Sequence, residues 1–240
     1  MECFSVFGVP VTSNEAREPM GMGKREHILA MCAMPRIADS WRSVHGAPPS
    51  DADIDRLYQR VESVMIEVIQ RYSVPIPGVV DAVSLMRRRG LRIGSCTGYP
   101  RSVGEPLAIR ARDYGYDPDV LVCASDVPRS RPEPDMCRKV LTMLNVTAPS
   151  RSVKIGDTVN DIVEGVRAGM WTIGITLTGN LTGLTADELS KLSSAKKWML
   201  HSHFSDLLIE NGAHFTAQDV YSCLPILSTI DDFCHKQYKP

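Results

Sequence analysis

Between Thr12 and Tyr72 the chain reads as helix throughout. After Ser50, a plausible N-cap, the apolar residues Ile54, Leu57, Tyr58, Val61, Val64, Met65, Val68, Ile69 and Tyr72 recur at spacings of three and four, the stripe of one long amphipathic helix. Upstream, Thr12 and Glu15 have the spacing of a capping box, and Pro35 and Pro49 divide the stretch into successive helices. From about Pro75 the pattern changes. Short unbroken apolar runs, LRIGSC (91–96), VLVCA (120–124), SVKIG (152–156) and TIGITL (172–177), alternate with helical patterns at 78–89, 100–114, 133–145 and 159–168. Runs without a polar face, separated by helices, predict parallel strands covered on both sides. The expected fold is α/β: a doubly wound parallel sheet accompanied by a small helical unit. In such sheets ligands bind at the carboxyl ends of the strands.

The residues at those ends are candidates for phosphate and metal chemistry. The first run leads into Thr97-Gly98-Tyr99, where a hydroxyl and helix-start amides suit a phosphate oxygen, although Thr before Gly is also a common turn. The second leads past Asp126 to Arg131, flanked by Ser130 and Pro132; it reads either as a bidentate phosphate partner or as a solvated loop arginine. The third leads into KIGDTVND, residues 154–161, in which Asp157 and Asp161 stand four apart at a strand-to-helix junction. Each alone fits a helix N-terminus, but two carboxylates at the end of a buried strand suit a magnesium ion, which takes one or two protein carboxylates and completes its shell with water and substrate.

Composition narrows the function classes. Hydrophobic residues make up 43% and charged residues 23% of the 240, with a net charge of −1. That balance argues against nucleic-acid binding, and the triplet Arg87–Arg89 before Gly90 reads as the basic end of a helix. The seven cysteines are scattered, without a CxxC pair, which predicts a reduced, cytoplasmic protein. The N-terminal sequence has no signal-peptide pattern, and no stretch is apolar enough for a membrane span.

Taken together, Thr97, Arg131 and GDTxxD resemble motifs of the haloacid dehalogenase superfamily of phosphotransferases. Within it, the segments NEAREPMGMGKREHI, MPRIADSW, GSCTGY, DVPRSRPEPDMC, KIGDTVNDIVEGVRAGMWTIGI and ENGAHFT are similar to the phosphonoacetaldehyde hydrolase family. The resemblance implies a core domain (75–240), a helical cap inserted after the first strand (9–74) and a remnant of a core helix (1–8). It implies Mg2+ at Asp157 and Asp161, substrate contacts from Thr97, Gly98, Arg131 and Met20, and a homodimer formed through the cap. It singles out Lys24 as the amine that forms a Schiff base with the substrate aldehyde. Such a lysine must be partly neutral, and His27, three residues on and on the same helix face, is placed to assist proton transfer.

The family also uses a nucleophilic aspartate after the first core strand, in a pattern like DxAGT, which does not occur in this sequence. The segment Met1–Gly8 resembles instead the tail of the following helix, with Gly8 as its C-cap, so the natural protein is expected to start upstream. The first strand is central in this fold, and its two neighbours are expected to lack a partner. Two other functions remain open on the sequence: a non-catalytic binding remnant of the same fold, and a phosphomonoesterase of the same superfamily that would not need Lys24. A further departure is Ser130, where the family usually has glycine; if that position required a positive φ, serine would be strained.

Overall fold

The computed structural model describes residues 1–69 and 73–240. The helical unit comprises α1 (Glu2–Val6), α2 (Ser13–Arg17), α3 (Lys24–Ala33), α4 (Pro35–His45) and α5 (Asp51–Val68). The capping signals read from the sequence are used. The Thr12 hydroxyl accepts the Glu15 amide while the Glu15 carboxylate accepts from Thr12, and Ser50 and Asp53 form the same reciprocal pair at the start of α5. Pro35 occupies the first turn of α4, where its missing N–H costs nothing. The long amphipathic helix is α5, followed by a turn at Ile69; Tyr72 lies outside the described residues.

The apolar stripes of these helices meet in one cluster that contains Ile28, Met31, Ile37, Trp41, Ile54 and Leu57. Phe4 and Val9 are buried in the same cluster. α1 packs on the helical unit, because Phe4 finds its apolar neighbours there. Gly8 does close α1, at φ +75°, with the amides of Gly8 and Val9 returning to Ser5 and Phe4 carbonyls.

The second unit runs α6 (Val79–Arg88), β1 (Gly94–Thr97), α7 (Arg101–Asp113), β2 (Val120–Cys123), α8 (Asp135–Met143), β3 (Val153–Gly156), α9 (Val159–Arg167), β4 (Trp171–Ile175), α10 (Ala186–Ser190), α11 (Ser194–Glu210), β5 (Phe215–Ala217) and α12 (Cys223–His235). Among the described residues every strand pairing is parallel. One face of the strands carries Cys96, Lys154, Thr172 and Gly174 against α8, α9 and α11; the other carries Ile155, Trp171 and Ile173 against α6 and α12. Close approach explains two glycines. A Cβ on Gly165 would sit 2.6 Å from Thr172, and one on Gly174 would sit 2.6 Å from Leu208.

The strands fall into two groups, β1–β2 and β3–β4–β5. Among the described residues β1 pairs with β2 alone and β3 with β4 alone, as expected for the neighbours of the central strand. A cleft of about 730 Å3 lies between their facing edges, lined along its length by Ile93–Cys96 on one side and Val153–Asp157 on the other. Among the described residues no helix is long and apolar enough to cross a membrane.

Trp41 is 1% exposed at the centre of the helical unit. Trp41→Ala is expected to lower stability by about 3–5 kcal/mol, measured by urea denaturation followed by circular dichroism.

Candidate active site

The carboxyl ends of β1 and β3, the loop after β2 and the start of α9 converge on a buried ion network. Arg131 donates from Nε to Glu164 Oε2 (2.8 Å) and from Nη2 to the Cys96 carbonyl (2.8 Å), and its Nη1 lies 3.1 Å from Asp161 Oδ1. Lys154 reaches the same two carboxylates, at 3.1 Å from Asp161 Oδ1 and 2.8 Å from Glu164 Oε2. All four side chains are at least nine-tenths buried, and their formal charges cancel. Burial alone would raise the Asp161 carboxyl, but Arg131, Lys154 and the Thr158 hydroxyl, 2.6 Å from Oδ2, hold it down to about 2.

Asp157 is in a different state. Burial, and then the like charge of Asp161, push its carboxyl up, while the Asn180 amide donates to its Oδ2 at 2.7 Å. A half-buried carboxylate at a strand end that has no ion-pair partner among the described residues fits a hard divalent cation, so the donor set suits Mg2+ at Asp157. Asp161 is placed otherwise. Both its oxygens are engaged, one by the two cations and one by Thr158, so it orients the loop that carries Asp157.

The helical unit closes this site from above. A pocket of about 260 Å3 is lined from the cap side by Met20, Gly21, Met22 and Lys24, and from the sheet side by Thr97, Gly98, Tyr99, Arg131, Asp157 and Asp161, among others. Seven of the eight residues proposed from the sequence therefore meet around one cavity. The Lys24 Nζ stands 5.3 Å from the centroid of the Tyr99 ring. Burial, and then the positive charge of Arg131, lower its ammonium pKa from the usual lysine value. The eighth residue, His27, is buried behind Lys24 on α3, 7% exposed and with no partner for Nδ1 among the described residues. Burial, and then Lys24, lower its imidazole to about 4, so it is neutral near pH 7.

The chain matches the haloacid dehalogenase-like hydrolase family model over residues 4–169. The chain is 42% identical to a phosphonoacetaldehyde hydrolase-like protein of Syntrophobacter fumaroxidans, over 97% of this chain and 84% of that protein. It is 39% identical to a phosphonoacetaldehyde hydrolase of Bacillus cereus (strain AH820), over 96% and 88%. Among solved structures, a phosphonoacetaldehyde hydrolase-like protein from Oleispira antarctica superposes with a TM-score of 0.97 at 36% identity, covering 100% of this chain and 87% of that one. The chain belongs to the phosphonoacetaldehyde hydrolase family. This family lies within the haloacid dehalogenase-like hydrolases, whose α/β core and cap account for the two units described above.

Several residues of this hydrolase site were not singled out from the sequence. Lys154 and Glu164 complete the ion network, yet a lysine inside an apolar run and a glutamate on a helix carry no local sign of burial. Asn180 reaches Asp157 from the loop after β4, and no spacing rule links the two. Ser130 is not strained: among the described residues positive φ outside glycine is confined to Asn145 and Gln237.

Its buried cations hold the Asp161 carboxyl down to about 2, below the ordinary aspartate value of 3.8. Its contribution to stability is therefore present above the unfolded pKa and is lost as pH falls from 3.8 toward 2. Thermal midpoints should drop through that window, and Asp161→Asn should lower the midpoint near pH 7 while flattening the acid limb.

Proposed function

We infer that the chain is a phosphonoacetaldehyde hydrolase, which cleaves the phosphorus–carbon bond of its substrate to give acetaldehyde and phosphate, and that Lys24 supplies the Schiff base. The observation that carries the reading is a half-buried lysine with lowered amine pKa, brought by the cap over a pocket whose floor is Thr97, Arg131 and Asp157. A phosphatase acting on esters needs the floor but not the amine.

The chemistry follows from the groups present. Direct cleavage of a phosphorus–carbon bond would expel a carbanion. The neutral Lys24 amine first adds to the aldehyde and water leaves, giving an iminium two bonds from phosphorus. A nucleophilic carboxylate attacks phosphorus while the P–C electron pair moves into the iminium, so that the leaving group is an enamine. Proton return to carbon and hydrolysis release acetaldehyde and free Lys24, and hydrolysis of the acyl phosphate releases phosphate. Thr97 and the Gly98 loop face the phosphonate oxygens, with Arg131 fixing the loop beside them, and neutral His27 is placed to move protons at the Lys24 nitrogen. Mg2+ at Asp157 would offset the charge on the phosphonate oxygens as the carboxylate approaches.

The cleft between β1 and β3 supports a place for that carboxylate. It is lined by Ile93–Cys96 and Val153–Asp157, with Arg131 and Asp161 also among its lining residues. An extended segment seated there in parallel pairing would deliver its last residue to the pocket floor. We propose that the nucleophilic aspartate arrives on such a segment, as the family's DxAGT strand does. A homodimer through the cap and a cytoplasmic location are part of the same proposal; seven free cysteines and exposed Leu29, Val44 and Ile66 on the helical unit favour them.

Borohydride reduction in the presence of substrate should label Lys24, increasingly as pH rises toward the amine pKa because only the neutral amine adds; absence of the adduct would sink the assignment. Lys24→Ala should abolish phosphonate cleavage yet leave hydrolysis of a simple phosphate ester within roughly tenfold, whereas equal loss on both would favour a phosphomonoesterase.

A further inference from the structure

The segment Met20–Lys24 that carries the amine is held to the sheet unit by backbone groups. The Gly23 N–H donates to Ser130 Oγ at 3.2 Å in a buried contact, and Asn160 Nδ2 donates to the Met20 carbonyl at 2.7 Å. The Lys24 amide donates to the Gly98 carbonyl at 3.2 Å, and Arg131 Nη1 lies 3.5 Å from the Gly21 carbonyl. The approach is so close that side chains are excluded from it. A Cβ on Gly21 would lie 2.3 Å from Thr158 Oγ1, one on Gly23 would lie 2.3 Å from Ser130 Oγ and 3.0 Å from Ser130 Cβ, and one on Gly98 would lie 2.5 Å from the Met22 carbonyl.

Two of these anchors are side chains with no part in the chemistry proposed above. Ser130 precedes Arg131, and Asn160 precedes Asp161, so each is tied by one peptide bond to a member of the buried ion network. Gly23 is the N-cap of α3, and Lys24 is the first residue of that helix. The two contacts therefore fix the start of the lysine helix to the loops that flank the phosphonate.

We propose that Ser130 and Asn160 are positioning residues that set the reach of Lys24 from the phosphonate site, so that an aldehyde joined to a phosphonate meets the amine in register. The inference rests on the Schiff-base reading of Lys24. Its consequence is selectivity. Acetaldehyde needs only the amine, whereas phosphonoacetaldehyde must satisfy the amine and the phosphonate loops at once, so loosening the latch weakens the second more than the first.

The test compares borohydride trapping on Lys24 with phosphonoacetaldehyde and with acetaldehyde, read as the ratio of initial labelling rates by peptide mass spectrometry. The iminium carbon takes hydride from borohydride, so no turnover is needed. Ser130→Gly and Asn160→Ala should each lower that ratio roughly threefold to tenfold, the scale of one buried hydrogen bond. A purely structural role would slow both aldehydes alike and leave the ratio unchanged. Gly23→Ala should lower the ratio through its clash with Ser130, and in the Ser130→Gly background it should add less than it does alone. Lys24 labelling in the parent chain with an unchanged ratio in both Ser130→Gly and Asn160→Ala overturns the latch. No labelling in the parent chain removes the Schiff-base reading, and the latch with it.

Discussion

Four buried charges, Arg131, Lys154, Asp161 and Glu164, hold the sheet side of the site in place. None could be buried alone, since an unpaired charge in the interior costs several kcal/mol, and removing one partner of a buried pair typically costs about 3–5 kcal/mol. Paired two against two, they tie the loop after β2 to β3 and α9. The Arg131 donation to the Cys96 carbonyl adds β1 to the same knot. The network therefore ties β1, β2 and β3 together across the cleft that separates the two groups of strands.

That arrangement assigns different tasks to two aspartates that look equivalent in GDTVND. Asp161 spends its oxygens on Arg131, Lys154 and Thr158 and keeps a low pKa. Asp157, four residues earlier, faces the pocket with its carboxyl pushed up by burial and by the neighbouring charge. A low dielectric makes both effects large: it strengthens attraction where a cation is near and penalises ionisation where none is. One is structural and the other is left available.

The cap completes the site by contact between backbones. Glycines at 21, 23 and 98 allow the approach, and the long α5 with its Ser50 cap and buried Ile54 and Leu57 gives α3 a rigid base. Lys24 is thereby taken out of water and set over Tyr99 near a guanidinium, the two conditions that favour the neutral amine. Ser130 takes part in this seam through its hydroxyl, which replaces the concern about its backbone with a contact to Gly23.

Local regularities carried much of this in the sequence. Periods of 3.6 residues, unbroken apolar runs and capping pairs act within a few residues, so the helices as far as α9, the strands β1 to β4 and the candidates Lys24, Thr97, Arg131 and Asp157 were legible from spacing or resemblance, while α10, α11 and α12 were not. The short strand Phe215–Ala217 carries too few residues for a period, and the placement of α1 on the helical unit depends on where Phe4 finds its neighbours. The pairing of Lys154 with Glu164 joins residues 10 positions apart, that of Arg131 with Glu164 residues 33 apart and the meeting of Ser130 with Gly23 residues 107 apart, and the separate roles of Asp157 and Asp161 depend on that network. Burial, charge pairing and pKa are properties of the folded surroundings, and those are set only when the two units close on one another.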